Sequence, residues 1–235
     1  MAADILPAAA PPVRLFLGEG LALPGLIAAP LLPPAPMVPG RGEPVMVLPG
    51  FLAHDLMTIR LRRSLRAAGY LVAGWHLGIN LGARADLLDR IAERIAGLAR
   101  QAGAPVTLIG WSLGGVYARE VAKLVPGQVR LVMTLGSPFS GDPRANNAWR
   151  LYELVNDHPV DDPPVTVNLP EKPPVPTVAL WSPRDGIVPP AAAAGLPGER
   201  DAACQLACRH MAYAWSAPAL AAIGAILADW LKRSA

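Results

Sequence analysis

The chain has 235 residues, of which 52% are hydrophobic and 17% are charged, and its formal net charge is +3. This length and apolar content predict one folded domain with a substantial core, and they exclude a disordered chain. Because Lys and Arg do not cluster along any segment, the sequence lacks the basic patch that is typical of nucleic-acid binding.

Proline is abundant before Pro49 and again from Pro159 to Pro190. Since proline interrupts helices and central strands, both regions are interpreted as ordered loops and strand lead-ins. No secretory signal is visible, and the prolines within residues 21–39 exclude a membrane span there. The two cysteines do not form a disulfide framework, so we expect a cytoplasmic protein.

From residue 45 onward, short apolar runs alternate with amphipathic segments. In chain order the pattern predicts a strand at 45–48, a helix at about 56–68, a strand at 71–75, a helix at about 85–100, a strand at 106–109, a helix at 113–124, strands at 130–135, 177–181 and 204–208, and a helix at 218–232 capped by Ser216. Strands that are apolar on both faces and separated by helices indicate a mostly parallel sheet with helices on both faces. The arginines within residues 59–66 are interpreted as the solvent-exposed face of their helix.

Residues 141–176 interrupt this alternation, since they hold only one short helical stretch, at 146–155. An insertion that leaves the C-terminal edge of a strand lies beside the ligand crevice in open α/β sheets. We therefore predict a single domain, 1–235, with a small cap at 141–176 and a proline-rich N-terminal segment at 1–43.

The segment Gly110–Gly114, with the sequence GWSLG, lies between a predicted strand and a predicted helix. In this context the G-x-S-x-G pattern is typical of a nucleophile elbow, where glycines permit the strained turn that exposes a serine. The alternative is a tight turn that serves packing only. The pattern predicts Ser112 as a nucleophile and the backbone N–H groups of Leu113 and Phe51 as donors to an oxyanion.

A serine nucleophile needs a base and an acid that orients the base, and in this fold class the chain order is nucleophile, acid, histidine. Two histidines follow Ser112. His158 falls in the proline-rich insertion, so the predicted base is His210, directly after the last strand. Asp185 follows the strand at 177–181 and is the predicted acid, although an Asp-Gly turn is the alternative. Asp201 precedes a strand and belongs at the opposite sheet edge.

These motifs resemble the α/β-hydrolase superfamily, in particular bacterial serine esterases and lipase-like hydrolases. The matching segments are VMVLPGF, GWHLGINLG, LIGWSLGGVYARE, MTLGSPF, WSPRDGIV and the final histidine before an apolar helix. The resemblance implies an α/β-hydrolase fold and ester hydrolysis through an acyl-enzyme. The chain departs from the family where Pro49-Gly50 replaces His-Gly and where Arg209–Ala212 replaces Ser-His-x-Gly. Asn80, in GINLG, either braces the crevice or caps the following helix.

The sequence thus predicts a carboxylic ester hydrolase acting on small-molecule or lipid-like acyl esters. An acyltransferase with the same triad, or a non-catalytic binding protein of this fold, are the alternatives. Trp111, Trp149, Leu151 and Tyr152, with Phe51, are candidates for an apolar acyl pocket or for packing within the cap. No metal-ligand cluster or phosphate-binding glycine loop is visible in the sequence, so we expect neither a metal nor a cofactor. The sequence does not indicate an oligomeric state.

Overall fold

The computed structural model describes residues 9–165 and 167–233. Outside the described residues lie positions 1–8 of the predicted N-terminal segment, position 166 of the predicted cap and positions 234–235 of the predicted domain. Six parallel strands form one sheet in the order β2-β1-β3-β4-β5-β6. They are β1 (Pro44–Leu48), β2 (Leu71–Gly74), β3 (Val106–Trp111), β4 (Val129–Leu135), β5 (Thr177–Trp181) and β6 (Ala202–Gln205). The predicted parallel sheet is confirmed, although β6 lies nearer the N-terminus than the predicted 204–208.

The helices of the described ranges are α1 (Val13–Gly18), α2 (Leu23–Ala28), α3 (Ile59–Ala67), α4 (Leu87–Ala102), α5 (Leu113–Leu124), α6 (Trp149–Val155), α7 (Pro190–Ala194) and α8 (Ala217–Arg233). The four long helices predicted from periodicity are present as α3, α4, α5 and α8. The Ser216 hydroxyl accepts a hydrogen bond from the N–H of Ala219 at 3.4 Å, as expected of an N-cap. None of these helices has both the length and the apolar character that a membrane span requires.

Helices α1 and α2 correct the prediction that the proline-rich N-terminal segment forms only loops. Pro12 precedes α1 as its N-cap residue, and Pro24 lies in the first turn of α2. A proline in the first turn costs a helix nothing, because the N–H groups there have no intrahelical partner. The prolines therefore set where these two short helices begin.

The core lies on both faces of the sheet, because successive side chains of a strand point to opposite sides. Val45 and Val47 of β1 pack with α3, α8 and the N-terminal segment on one face. Met46 and Leu48 pack with α4 and α5 on the other. Since all strands are parallel, the loops that follow β1, β3, β5 and β6 meet at one edge of the sheet.

The N-terminal segment also packs over α3, and the solvent-exposed interpretation of the α3 arginines is wrong for Arg60 and Arg62, whereas Arg66 is exposed as expected. Arg60 and Arg62 are buried. Arg60 donates to the carbonyl oxygen of Pro33 at 3.0 Å, and Arg63 donates to that of Pro30 at 2.9 Å. The physical reason is that proline-rich backbone outside regular structure leaves carbonyl oxygens unpaired, and guanidinium groups supply the donors.

Residues 141–176, here called the insertion, lie between β4 and β5 and carry α6, which is shorter than the predicted 146–155. Tyr152 of α6 is buried, and its hydroxyl accepts a hydrogen bond from the N–H of Ala83 at 3.1 Å. Its ring centroid lies 5.3 Å from that of Phe51. These contacts hold the insertion against the loops that follow β1 and β2.

Candidate active site

Ser112 forms the turn between β3 and α5, with φ 54° and ψ −125°, a backbone conformation that L-residues rarely adopt. The flanking glycines are required by close approach. A Cβ atom at Gly110 would lie 2.3 Å from the Cα of Gly115, and one at Gly114 would lie 2.5 Å from the carbonyl oxygen of Leu48. The strained strand-to-helix turn predicted from the sequence is therefore present.

A buried histidine–carboxylate pair lies at the same edge of the sheet. Nδ1 of His210 is 2.8 Å from Oδ2 of Asp185. The other carboxylate oxygen of Asp185 accepts the N–H groups of Ile187 and Val188, both at 2.9 Å. A turn role accounts for these two backbone contacts but not for the bond to His210. Both partners are almost inaccessible, with 1% of Asp185 and 3% of His210 exposed.

The surroundings of His210 favour its protonated form. Burial of the ring disfavours the charged imidazolium, but the charge and hydrogen bond of Asp185, together with the charge of Glu19, outweigh it and raise the pKa of His210 above its ordinary value. Because Nδ1 faces Asp185, Nε2 is the ring nitrogen that remains for proton transfer.

Trp111, directly before Ser112, connects the serine turn to the histidine loop. Its indole N–H donates to the carbonyl oxygen of His210 at 3.1 Å, and the two ring centroids are 5.9 Å apart. No hydrogen bond between described residues joins the Ser112 hydroxyl to His210. In catalytic sites such bonds are often long before substrate binds.

The backbone N–H groups of Phe51 and Leu113 have no acceptor among the described residues. Leu113 is the first residue of α5, where the N–H has no intrahelical partner. The loop after β1 approaches the serine so closely that a Cβ atom at Gly50 would lie 3.1 Å from the Cβ of Ser112. The two free donors thus lie on segments adjacent to the serine.

Asn80 braces the loop that carries Phe51. Its side-chain amide donates to the carbonyl oxygen of Pro49 at 2.9 Å, and its backbone carbonyl oxygen accepts the N–H of Leu52 at 2.7 Å. The residue is fully buried. Of the two roles left open by the sequence, bracing fits these contacts, since the next helix begins only at Leu87.

A cleft of about 940 Å³, counting its open mouth, begins at Ser112 and extends under the insertion. Of the five residues proposed for an acyl pocket, Phe51, Trp149 and Tyr152 line it. The other two require correction. Trp111 is buried in the core behind the serine turn, and Leu151 lies on the outer side of α6, where it is 47% exposed.

The remaining acid and histidine candidates lie elsewhere. Asp201 accepts the N–H of Thr177 at the start of β5, at the edge opposite the serine turn, as expected from the sequence. The ring of His158 packs edge-on against Tyr152 with centroids 5.5 Å apart, within the insertion.

Sequence reasoning missed Glu19, a buried carboxylate that is 5% exposed. One of its oxygens accepts the N–H groups of Gly186 at 2.8 Å and His210 at 2.9 Å, and the other accepts the N–H of Met211 at 2.9 Å. A signal was available, because Glu19 is the one acidic residue between Asp4 and Glu43 in an otherwise apolar segment. Isolated acids among apolar residues are rarely buried without partners.

No protein-family model matches the sequence, and no curated protein matches it significantly. Solved structures do match its fold. One, from a study of the metagenome-derived lipolytic enzymes LipS and LipT, is 18% identical, with a TM-score of 0.61, 86% of this chain covered and 99% of that one. The monoacylglycerol lipase of Paleococcus ferrophilus is 18% identical, with a TM-score of 0.55 and coverages of 83% and 97%. The thioesterase domain from the curacin biosynthetic pathway is 15% identical, with a TM-score of 0.55 and coverages of 80% and 91%. The chain therefore adopts the α/β-hydrolase fold, as the resemblance of its motifs implied.

Proposed function

We propose that this protein is a serine carboxylic ester hydrolase that cleaves acyl esters through an acyl-enzyme, with Ser112, His210 and Asp185 as its catalytic triad. The observation that carries the proposal is the pairing, at one sheet edge, of a serine on a strained turn with a buried His–Asp couple. A turn kept only for packing would not require such a couple beside it.

In the proposed reaction, the Ser112 hydroxyl oxygen attacks the carbonyl carbon of the ester while Nε2 of His210 takes its proton. Asp185 holds Nδ1 and stabilises the imidazolium that forms. The tetrahedral intermediate then expels the alcohol, which receives the proton from His210. Water, deprotonated by His210, attacks the acyl-enzyme, and the free acid leaves Ser112 restored.

The negative charge on the tetrahedral oxygen needs donors that are already in place. The N–H groups of Phe51 and Leu113 are suited to this role because they have no other acceptor among the described residues. Asn80 contributes indirectly, by holding the carbonyl oxygen of Pro49 and so the loop that presents Phe51.

The cleft supports an acyl chain of medium or greater length as the bound part of the substrate. Its lining is mainly apolar and comes from α4, α5 and the insertion, including Leu87, Leu88, Val116, Val165, Val167 and Leu169. Apolar clefts bind ligands mainly through buried apolar surface. The similar structures named as lipolytic enzymes, a lipase and a thioesterase are consistent with acyl-group chemistry.

The test is hydrolysis of p-nitrophenyl esters from acetate to palmitate by the purified wild-type protein, Ser112→Ala and Ser216→Ala. Ser216 is the matched control, since it is a serine at a helix start outside the proposed triad. We expect Ser112→Ala to lose at least about 10³-fold in kcat, and Ser216→Ala to retain wild-type kcat. The acyl-chain length that is hydrolysed fastest would indicate the length of acyl chain that the cleft accommodates.

Covalent labelling provides an independent readout. A fluorophosphonate probe is expected to label the wild-type protein and Ser216→Ala but not Ser112→Ala. A folded wild-type protein that neither turns over any of these esters nor reacts with the probe would refute the proposal.

A further inference from the structure

Glu19 extends from the N-terminal segment into the loops that carry the proposed acid and base. It lies in a short 3₁₀ turn between α1 and α2, and its carboxylate accepts three backbone N–H groups at 2.8–2.9 Å. Among the described residues, no Lys or Arg forms an ion pair with it. The three N–H donors are therefore its direct hydrogen-bond partners, and charge-assisted bonds of this kind are the stronger class.

The three donors belong to two different loops. Gly186 directly follows Asp185 in the loop after β5, whereas His210 and Met211 lie in the loop after β6. A single carboxylate therefore fixes the acid loop and the base loop to each other. The 2.8 Å contact between Asp185 and His210 depends on the relative position of these two loops.

We infer that Glu19 is a positioning residue of the proposed active site: its carboxylate aligns the Asp185 and His210 loops, and its negative charge stabilises the imidazolium that forms during attack by Ser112. The inference rests on the proposed function. It assigns a role in the site to the N-terminal segment, which also packs against α3 and α8.

The groups that face His210 agree with this role. Asp185 and Glu19 supply negative charge, the Tyr213 ring meets the imidazole edge-on at 6.1 Å, and the Trp111 ring lies 5.9 Å away. Burial of the imidazole acts in the opposite direction, but the pKa of His210 is raised, with Glu19 among the groups that raise it. Neutralising Glu19 should therefore lower this pKa, whereas a purely packing role would leave it unchanged.

The test compares the wild-type protein with Glu19→Gln, Glu19→Asp and the control Asp201→Asn. Glutamine has the same shape but no charge, and its amide NH₂ would face at least one backbone N–H. Aspartate keeps the charge on a side chain shorter by one methylene. Asp201 is a matched control because its carboxylate also accepts a backbone N–H, but at the opposite sheet edge.

Two quantities are measured. The first is kcat and KM for the best p-nitrophenyl ester, and the second is the titration of the imidazole protons by NMR, which the four histidines of this chain make tractable. Circular dichroism and urea denaturation of each variant show whether it is folded.

We expect Glu19→Gln to lower kcat about tenfold or more, the equivalent of one charge-assisted hydrogen bond, with KM unchanged. The pKa of His210 should fall in this variant. Glu19→Asp should lie between Glu19→Gln and wild type in kcat and keep the raised pKa, and Asp201→Asn should match wild type in both measurements.

Wild-type kcat and an unchanged His210 titration in folded Glu19→Gln would overturn the inference. Should Glu19→Gln not fold, Glu19→Asp decides, because a kcat equal to that of wild type would overturn the inference as well. Failure of the proposed function has a different signature, since the wild-type protein itself would then hydrolyse no ester. The NMR titration still reports whether Glu19 sets the charge state of His210 in that case.

Discussion

The strained backbone at Ser112 predicts that the protein becomes more stable when the residue is replaced by glycine than when it is replaced by alanine. A non-glycine residue at φ 54° and ψ −125° costs about 1–3 kcal/mol. Glycine removes this strain but loses about 0.5–1 kcal/mol through the greater freedom of the unfolded chain. Ser112→Gly should therefore be about 1 kcal/mol more stable than Ser112→Ala. For a chain of this size the difference corresponds to a rise of about 2–4 °C in Tm.

The comparison with alanine isolates the backbone effect, because both variants lack the hydroxyl and both should be inactive as esterases. Urea denaturation gives the free energies of unfolding, and scanning calorimetry gives the two Tm values. Equal stabilities, or a more stable Ser112→Ala, would refute the argument that the serine turn stores strain that function requires.

Other perturbations of the site have equally definite outcomes. Asp185→Asn should lower kcat by about 10³–10⁴-fold with the fold retained by circular dichroism, because the amide cannot stabilise the imidazolium. Protonated His210 cannot accept the serine proton, so kcat/KM should fall as the pH is lowered. Because the pKa of His210 is raised, kcat/KM should reach half of its plateau value above pH 6.5. A midpoint at or below pH 6.5 in the pH–rate profile would contradict this. Asn80→Ala should lower kcat about tenfold with little change in KM, as steady-state kinetics would show, since the loop after β1 loses its hydrogen bond at Pro49. Gly114→Ala should reduce the free energy of unfolding in urea by about 1–3 kcal/mol, because its Cβ atom would lie 2.5 Å from a backbone oxygen of β1.

The sheet, the long helices and the serine turn were predictable because each has a local cause. Apolar runs of strand length, helical periodicity and glycines at the turn are all readable within a few residues. Asp185 and His210 were predictable for a further reason. In a parallel sheet the loops after the strands lie at one edge, so chain order alone selects which acid and histidine can meet.

The predictions that are wrong concern contacts between distant segments of the chain. The exposure of Leu151 is set by which side of α6 packs toward the cleft, and its own sequence does not determine that. The prediction of a solvated Arg60 fails because the carbonyl oxygen that binds its side chain belongs to Pro33, far earlier in the chain. Glu19 was missed for the same reason, since its partners lie beyond residue 185.

The Glu19 carboxylate also has a consequence for how the molecule assembles. Its bonds to Gly186 and His210 close chain loops of 167 and 191 residues, among the longest contacts in the structure. Contacts of such separation carry a loop-closure cost that falls once the intervening chain has folded. During synthesis Glu19 leaves the ribosome before Gly186 and His210, so it acquires these partners only after β6 has been made. The sheet can therefore be nearly complete before Glu19 joins the acid and base loops to each other.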